Sequence, residues 1–343
     1  MKILFFRLGA VGDCLLTTPA VRYIKSIYPD AVIHYMAGAP AAPVLENNPY
    51  IDRVMPIRLK KHILPREFGI LFIMKELRGY FRGEKYDYFI DFESSYFSAY
   101  VSLFACAKVK IGHLIKRKSR RLYNLLYQRR LDFKGGRIYS ALRQLALVKM
   151  VKDGGDSATG LVLSLTAPEK EKAALFYSSA GIGADIKKIL FGISGTWPSK
   201  SWPEAHWIRL AELLAASGIP HRCVVLWGPG DNPDFLKRLS AMQNVSVIPA
   251  AGLREFAAII SGGDVIISND SAARHIADAF NVKTIGLFGP TDPLVWAKPE
   301  SAGNVILTPG VDCAPCDLTD CGRGGCMDKI SPETVYEEVK KML

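Results

Sequence analysis

The stretch Ile3-Leu4-Phe5-Phe6-Arg7-Leu8-Gly9-Ala10-Val11-Gly12-Asp13 opens a chain of 343 residues, and its reading decides the fold. Four consecutive apolar residues predict a buried strand. The two glycines predict a tight turn, and the apolar pattern over 14–27 predicts the helix that follows. The same alternation runs outward to the far end. Strands are predicted at 3–6, 32–36, 53–57, 86–92 and 109–111, with helices at 14–27, 67–80 and 95–105. The polar, glycine-rich residues 152–160 (K-D-G-G-D-S-A-T-G) read as a linker zone. Beyond them a second series places strands at 189–193, 223–227, 245–248, 264–268 and 284–288, and helices at 203–216, 233–242, 253–260 and 271–280. A last helix at 332–342 opens with Ser331 as its cap and Pro332 at its first position. Alternating strands and helices build parallel sheets with helices on both faces. The expectation is an α/β chain of two Rossmann-like domains, 1–160 and 161–330, facing a central cleft, followed by a C-terminal helix at 331–343. Ligands of such sheets sit at the carboxyl ends of the strands, so the site is expected in that cleft.

Hydrophobic residues make up 49% and charged residues 22%, the balance of a packed protein and not of a disordered one. Lys and Arg exceed Asp and Glu by eleven. That points to an anionic partner without choosing among nucleic acid, phosphorylated small molecules and a membrane surface. The excess is concentrated, because residues 108–137 carry eleven Lys or Arg against one acid, Asp132. Leu114, Leu122, Tyr123, Leu125 and Tyr127 interleave with them, a composition suited to an anionic membrane or a phosphorylated lipid. A solvated helix face or a single-stranded nucleic-acid contact would use the same residues. The apolar run after Lys2 is too short for a signal-peptide core. The uncharged stretch 94–107 falls short of the roughly 20 residues of a membrane span and reads as a buried helix. Seven cysteines are too few for a disulfide scaffold. The expectation is a cytoplasmic protein.

Three segments carry chemistry. Gly9-x-x-Gly12-Asp13 lacks the third glycine of a dinucleotide fingerprint, and its carboxylate would repel a pyrophosphate. Asp13 is suited to taking a proton from a hydroxyl; an Asp there can equally cap the next helix. In Ser194-Gly195-Thr196-Trp197-Pro198-Ser199-Lys200-Ser201-Trp202-Pro203, Lys200 is a mobile point charge suited to a diphosphate. Trp197 and Trp202 are either flat walls of that site or core anchors, and Trp207 reads as core. In Ser268-Asn269-Asp270-Ser271-Ala272-Ala273-Arg274-His275 a strand ends and a helix begins, and free N–H groups at a helix start can hold a phosphate. His275 follows Ser271 by four residues, on the same helical face.

Together with the later F-G-P-T-D-P at 288–293, these motifs resemble glycosyltransferase family 9, the ADP-heptose:lipopolysaccharide heptosyltransferases and their relatives, over nearly the whole chain and in the right order. The resemblance implies a GT-B fold, an inverting transfer and no cofactor required for catalysis. It implies that Asp13 is the general base, that Lys200 binds the diphosphate and that Asp270 contacts the donor sugar. Ser271 and Ala272 fall on the helix start that holds the diphosphate, and Thr196 and His275 complete the expected donor set. Gly9, Gly12, Lys116, Arg117, Arg120 and Arg121 form the expected acceptor set. Ala272 stands where the family often has Gly, and Arg274 where it has a smaller or apolar residue. The C-terminal helix is expected to return towards the N-terminal domain. No D-x-D pair occurs in the chain, so positive side chains and a helix N-terminus are the natural substitutes for a metal.

Cys313-x-x-Cys316, Cys321 and Cys326 place four thiols within 14 residues. Such a set can close a structural tetrahedral zinc site, with free or paired thiols as the alternative. The expected partners are an ADP-sugar donor, a lipopolysaccharide core or lipid-linked acceptor, and peripheral contact with the cytoplasmic face of the inner membrane. Nucleic acid is not among them. Two other readings stand beside this one: a GT-B-like nucleotide-sugar epimerase, and a non-catalytic protein that binds nucleic acid or a membrane through the basic segment.

Overall fold

The computed structural model describes residues 1–58, 66–114, 121–133, 136–299, 303–321 and 325–343. It divides into two compact units, Met1–Ser164 and Leu165–Leu343.

The first unit runs β1 (Lys2–Arg7), α1 (Val11–Leu15), α2 (Thr18–Ile27), β2 (Val32–Gly38), β3 (Arg53–Ile57), α3 (Arg66–Phe81), β4 (Tyr86–Asp91), α4 (Tyr96–Phe104), β5 (Ala107–His113), α5 (Arg121–Leu126), β6 (Arg129–Leu131) and α6 (Ser140–Lys149). Its strands pair in parallel in the order β3-β2-β1-β4-β5-β6. Ile3 to Phe6 are wholly buried, as a strand flanked on both sides requires. The helix predicted at 14–27 is two helices. Pro19 supplies no N–H at the start of α2, and Thr17 and Thr18 donate their hydroxyls back to the carbonyls of Cys14 and Leu15, each at 2.7 Å. The apolar stretch 94–107 is α4, capped by Ser95, which accepts the Ser98 N–H at 3.1 Å. No described helix is long and apolar enough to cross a membrane. Residues 152–160, read as a linker zone, are instead pinned to α2. Arg22 pairs with Asp156 at 3.1 Å, and the Tyr23 hydroxyl donates to Asp153 at 3.0 Å.

The second unit runs α7 (Ala167–Ser179), β7 (Lys187–Gly192), α8 (Glu204–Ala215), β8 (His221–Leu226), α9 (Pro233–Ser240), β9 (Val245–Val247), α10 (Leu253–Ser261), β10 (Val265–Asn269), α11 (Ala272–Phe280), β11 (Lys283–Leu287), α12 (Pro293–Trp296), β12 (Asn304–Leu307) and α13 (Pro332–Met342). Its parallel sheet has the order β12-β11-β10-β7-β8-β9. Counted from its own first strand, this is the connectivity of the first sheet again. In both, the chain reverses its direction of winding between the first strand and the fourth, which is where doubly wound sheets bind their ligands. Trp202 and Trp207 pack edge to face at 4.9 Å in the core of this unit, so Trp202 is an anchor and not a wall of a binding site.

The terminal helix α13 packs within the second unit. Val335 and Val339 are wholly buried in the core of the second unit, and Glu333 pairs with Arg209 of α8 at 3.1 Å. It is an integral layer of that unit, because the apolar stripe of α13 is spent on α8 and the sheet.

Candidate functional site

At the reversal point of the first sheet, β1 lies beside β4 with Phe6 opposite Asp91. The residues just past both strands meet there. Arg7 extends across the gap, its Nη1 donating to the Phe92 carbonyl at 2.6 Å and its Nη2 pairing with Asp13 Oδ1 at 2.9 Å. Glu93 Oε2 accepts the N–H groups of Leu8 and Gly9 at 3.2 and 3.3 Å and stands 3.5 Å from Arg7 Nε. Burial works against the Arg7 charge, but Asp13 and Glu93 outweigh it and raise the guanidinium above its ordinary value. The second oxygen of Asp13 accepts the Ala10 N–H at 3.1 Å. Asp13 therefore caps the short α1 and also stands in a charged cluster, its side chain 20% exposed.

Gly9 is there for space. A Cβ at this position would lie 2.6 Å from Asp13 Cβ and 2.8 Å from Arg7 Nε, so any side chain would push the carboxylate out of place. Gly12 is buried inside α1, where its carbonyl accepts the Leu16 N–H at 2.9 Å. Of the other expected acceptor residues, Lys116, Arg117 and Arg120 lie outside the described residues. Arg121 begins α5, and its side chain is likewise outside them.

Behind this cluster sits a buried knot. Asp91 is fully enclosed and accepts the hydroxyls of Tyr123 at 2.9 Å and Tyr127 at 2.6 Å, and the N–H groups of Glu93 and Ser94 at 2.8 and 3.0 Å. Burial raises its carboxyl in spite of these donors. The knot ties α5, part of the basic segment, to the end of β4.

At the reversal point of the second sheet, β7 lies beside β10 with Gly192 opposite Ser268. Asn269 bridges the two strand ends. Its amide donates to the Ile193 carbonyl at 2.7 Å and its carbonyl accepts the Trp202 N–H at 3.1 Å, fixing both ends of the lysine loop. Lys200 Nζ then meets Asp270 Oδ2 at 2.9 Å while standing 4.3 Å from the centroid of the Trp197 ring. Thr291, from the F-G-P-T-D-P motif, donates to the same Asp270 oxygen at 2.8 Å. Burial tends to raise the Asp270 carboxyl, but Arg274 and Lys200 together hold it below the ordinary carboxylate range.

Ser271 is the N-cap of α11 and makes no side-chain cap bond, sharing a 3.2 Å hydrogen bond with Ser268 instead. Its helix therefore begins at Ala272, whose N–H is among the four that a helix leaves without an internal partner. His275 is buried, and desolvation, with Arg274 adding to it, drives its imidazole well below the usual range into the neutral form. Arg274 is neither a surface residue nor free. It is 1% exposed and paired with Asp278 at 2.8 Å. Thr196 is exposed at the tip of the loop.

The four cysteines Cys313, Cys316, Cys321 and Cys326 carry free thiols and line one cavity of about 130 Å³ together with Ser199, Pro290 and Lys329. Among the described residues no three metal-ligating side chains stand close enough together to hold an ion. The loop that carries the thiols is joined to the lysine loop, since Ser199 donates its hydroxyl to the Leu318 carbonyl at 2.6 Å.

Sequence reasoning missed Glu93, Asn269 and Thr291 as parts of these two constellations. Asn269 and Thr291 lay within quoted motifs; Glu93 carried no motif, and only its place just past a strand end marked it.

The model for glycosyltransferase family 9 (heptosyltransferase) matches residues 74–324. The chain is 25% identical to lipopolysaccharide heptosyltransferase 1 of Pseudomonas aeruginosa, with 100% of this chain and 98% of that protein covered. Among solved structures, a family 9 glycosyl transferase from Veillonella parvula superposes with a TM-score of 0.85 at 21% identity, covering 99% of this chain and 96% of the other. An ADP-heptose lps heptosyltransferase II from E. coli does so with a TM-score of 0.77 at 23% identity, covering 100% and 98%. The two parallel α/β units are thus those of the GT-B fold.

Proposed function

Because the chain belongs to glycosyltransferase family 9 (heptosyltransferase), we propose that it transfers a heptose from an ADP-sugar onto a lipopolysaccharide core or a similar lipid-linked glycan, with inversion. The observation that carries the donor half is Lys200 held beside Asp270 at a helix start whose cap side chain makes no bond to the helix N–H groups. An ammonium and free helix N–H groups are the means by which a protein stabilises a departing diphosphate. Asp13 is the base. As the acceptor oxygen forms its bond to the anomeric carbon, the bond from that carbon to ADP breaks, and the hydroxyl proton passes to Asp13. Asp270 meets the hydroxyls of the transferred sugar. Thr196, Ser271, Ala272 and His275 complete the donor site.

The acceptor is anionic in this reading, and the excess of cations over 108–137 gives it an electrostatic partner. The same segment serves peripheral contact with the cytoplasmic face of the inner membrane. Leu125 of α5, 77% exposed among these cations, is an apolar group free to enter a lipid surface. The four thiols are proposed to have a structural role; to ligate zinc, the metal their chemistry would suit, they would have to draw closer together than they stand here. We propose that catalysis requires no metal, the Lys200 ammonium and the N–H groups at the start of α11 taking that part.

The test is thermal stability with ADP, UDP, GDP or NAD in EDTA. A ligand at 100 times its dissociation constant stabilises the fold by about 2.7 kcal/mol, which raises the midpoint by several degrees. A rise with ADP that survives EDTA is expected. A rise with UDP alone would restore the epimerase reading. No rise with any nucleotide, together with salt-dependent binding of nucleic acid, would restore the non-catalytic one.

A further inference from the structure

Glu93 has no part in the reaction as written, yet it touches two of the residues that locate Asp13, Arg7 and Gly9. One oxygen holds the Leu8 and Gly9 N–H groups and lies against Arg7 Nε. Gly9 is the residue on whose missing side chain Asp13 rests, and Arg7 is its ion-pair partner. Glu93 is itself anchored from behind, through its own N–H on the buried Asp91. A carboxylate set only for stability would more simply be replaced by a neutral acceptor for the two N–H groups. Here two carboxylates crowd one guanidinium at a partly exposed position, an arrangement that costs like-charge repulsion.

We propose that Glu93 is a positioning residue for the transfer: through Arg7 and the Leu8–Gly9 turn it fixes where the Asp13 carboxylate stands. This rests on the reading of Asp13 as the base. The Arg7 fork has two neighbours to satisfy. Its Nη2 edge faces Asp13, its Nε edge faces Glu93, and Nη1 is tied to the Phe92 carbonyl. With Glu93 gone the guanidinium can rotate to meet Asp13 through two nitrogens, drawing the carboxylate from its place over the turn. A displacement of about 1 Å at a reacting group is enough to cost on the order of a hundredfold in rate. Glu93 exchanges no proton in this scheme, so its whole effect passes through the position of Asp13.

The experiment is a double-mutant cycle on the full chain, with ADP-heptose as donor and a lipopolysaccharide core as acceptor. Glu93→Ala is expected to lower kcat by roughly 10–100-fold, with ADP affinity unchanged. Glu93→Gln, which still accepts the two N–H groups, should lose only about 3–10-fold. In the Asp13→Asn background neither substitution should lower the residual rate further, because the residue through which Glu93 acts is already disabled. Losses that multiply in the double variants would show that Glu93 acts apart from Asp13 and overturn the proposal. So would Glu93→Ala at the wild-type rate beside an impaired Asp13→Asn, and in that case the base reading survives. Wild-type turnover in Asp13→Asn itself would overturn both. If Glu93→Ala folds poorly, the isosteric Glu93→Gln carries the cycle alone, and a rate equal to wild type there sinks the idea.

Discussion

The two reversal points share one connectivity and one location, and differ in how charge is arranged around an aspartate. In the first unit Asp13 and Glu93 compete for a single guanidinium, Arg7, and the site touches solvent. In the second, Asp270 is 5% exposed and is itself surrounded, by Lys200, Thr291 and, at 3.9 Å, Arg274. In the proposed reading the partly exposed carboxylate of Asp13 stands open to an acceptor hydroxyl. A buried one held by two cations and a hydroxyl remains ionised and can only orient what it meets. The scaffold is indifferent to which job it does; the side chains just past the strand ends decide.

The sharpest way to break this contrast is Asp13→Asn. It should lower turnover by roughly 10²–10⁴-fold while leaving ADP affinity nearly intact. A variant that turns over at the wild-type rate would reduce Asp13 to a helix cap and make the two sites chemically alike. Next comes Lys200→Ala, expected to weaken ADP binding by about 10–100-fold, the loss of a charge-assisted contact. Calorimetric titration reads it directly, and unchanged affinity would remove Lys200 from the donor site.

The smallest effect concerns an ion pair away from both sites. Arg254 of α10 holds Glu169 of α7 at 2.7 Å, and that hydrogen bond is the main reason its carboxyl is lowered to about 2. A carboxyl lowered on folding stabilises the protein above its ordinary value near 4.5, and that stability is lost as pH falls towards about 2. The pair is partly solvated, so Glu169→Gln should cost only about 1 kcal/mol at neutral pH, a few degrees in melting temperature. The gap to wild type should narrow on acidification. Lost ADP binding in this variant would mean that charge outside the reversal points matters to function, and the contrast between the sites would lose its meaning.

Much of the fold was legible because its signals are local. Buried parallel strands announce themselves as apolar runs, and Ile3 to Phe6 is one. Short or charged elements carried no such signal. Strand β6 is Arg129-Arg130-Leu131, and it is a strand only because β5 offers it an edge. The break between α1 and α2 was written in Pro19 but hidden by continuous helical periodicity on either side of it.

At the site, the sequence by itself determined which residue types stand at each strand end. It placed Asp13 after a glycine turn, Lys200 in a loop of small residues and Asp270 before a helix, because turn and cap chemistry act over three or four residues. What only the tertiary structure decided is who meets whom. Arg7 reaches a carbonyl 85 residues away, and Lys200 an acid 70 residues away. Those meetings follow from β1 lying beside β4 and β7 beside β10, pairings between strands that are not neighbours in the chain. Hydrophobic periodicity says that a strand is buried; it does not say beside which other strand, and that choice is made by the packing of the whole sheet.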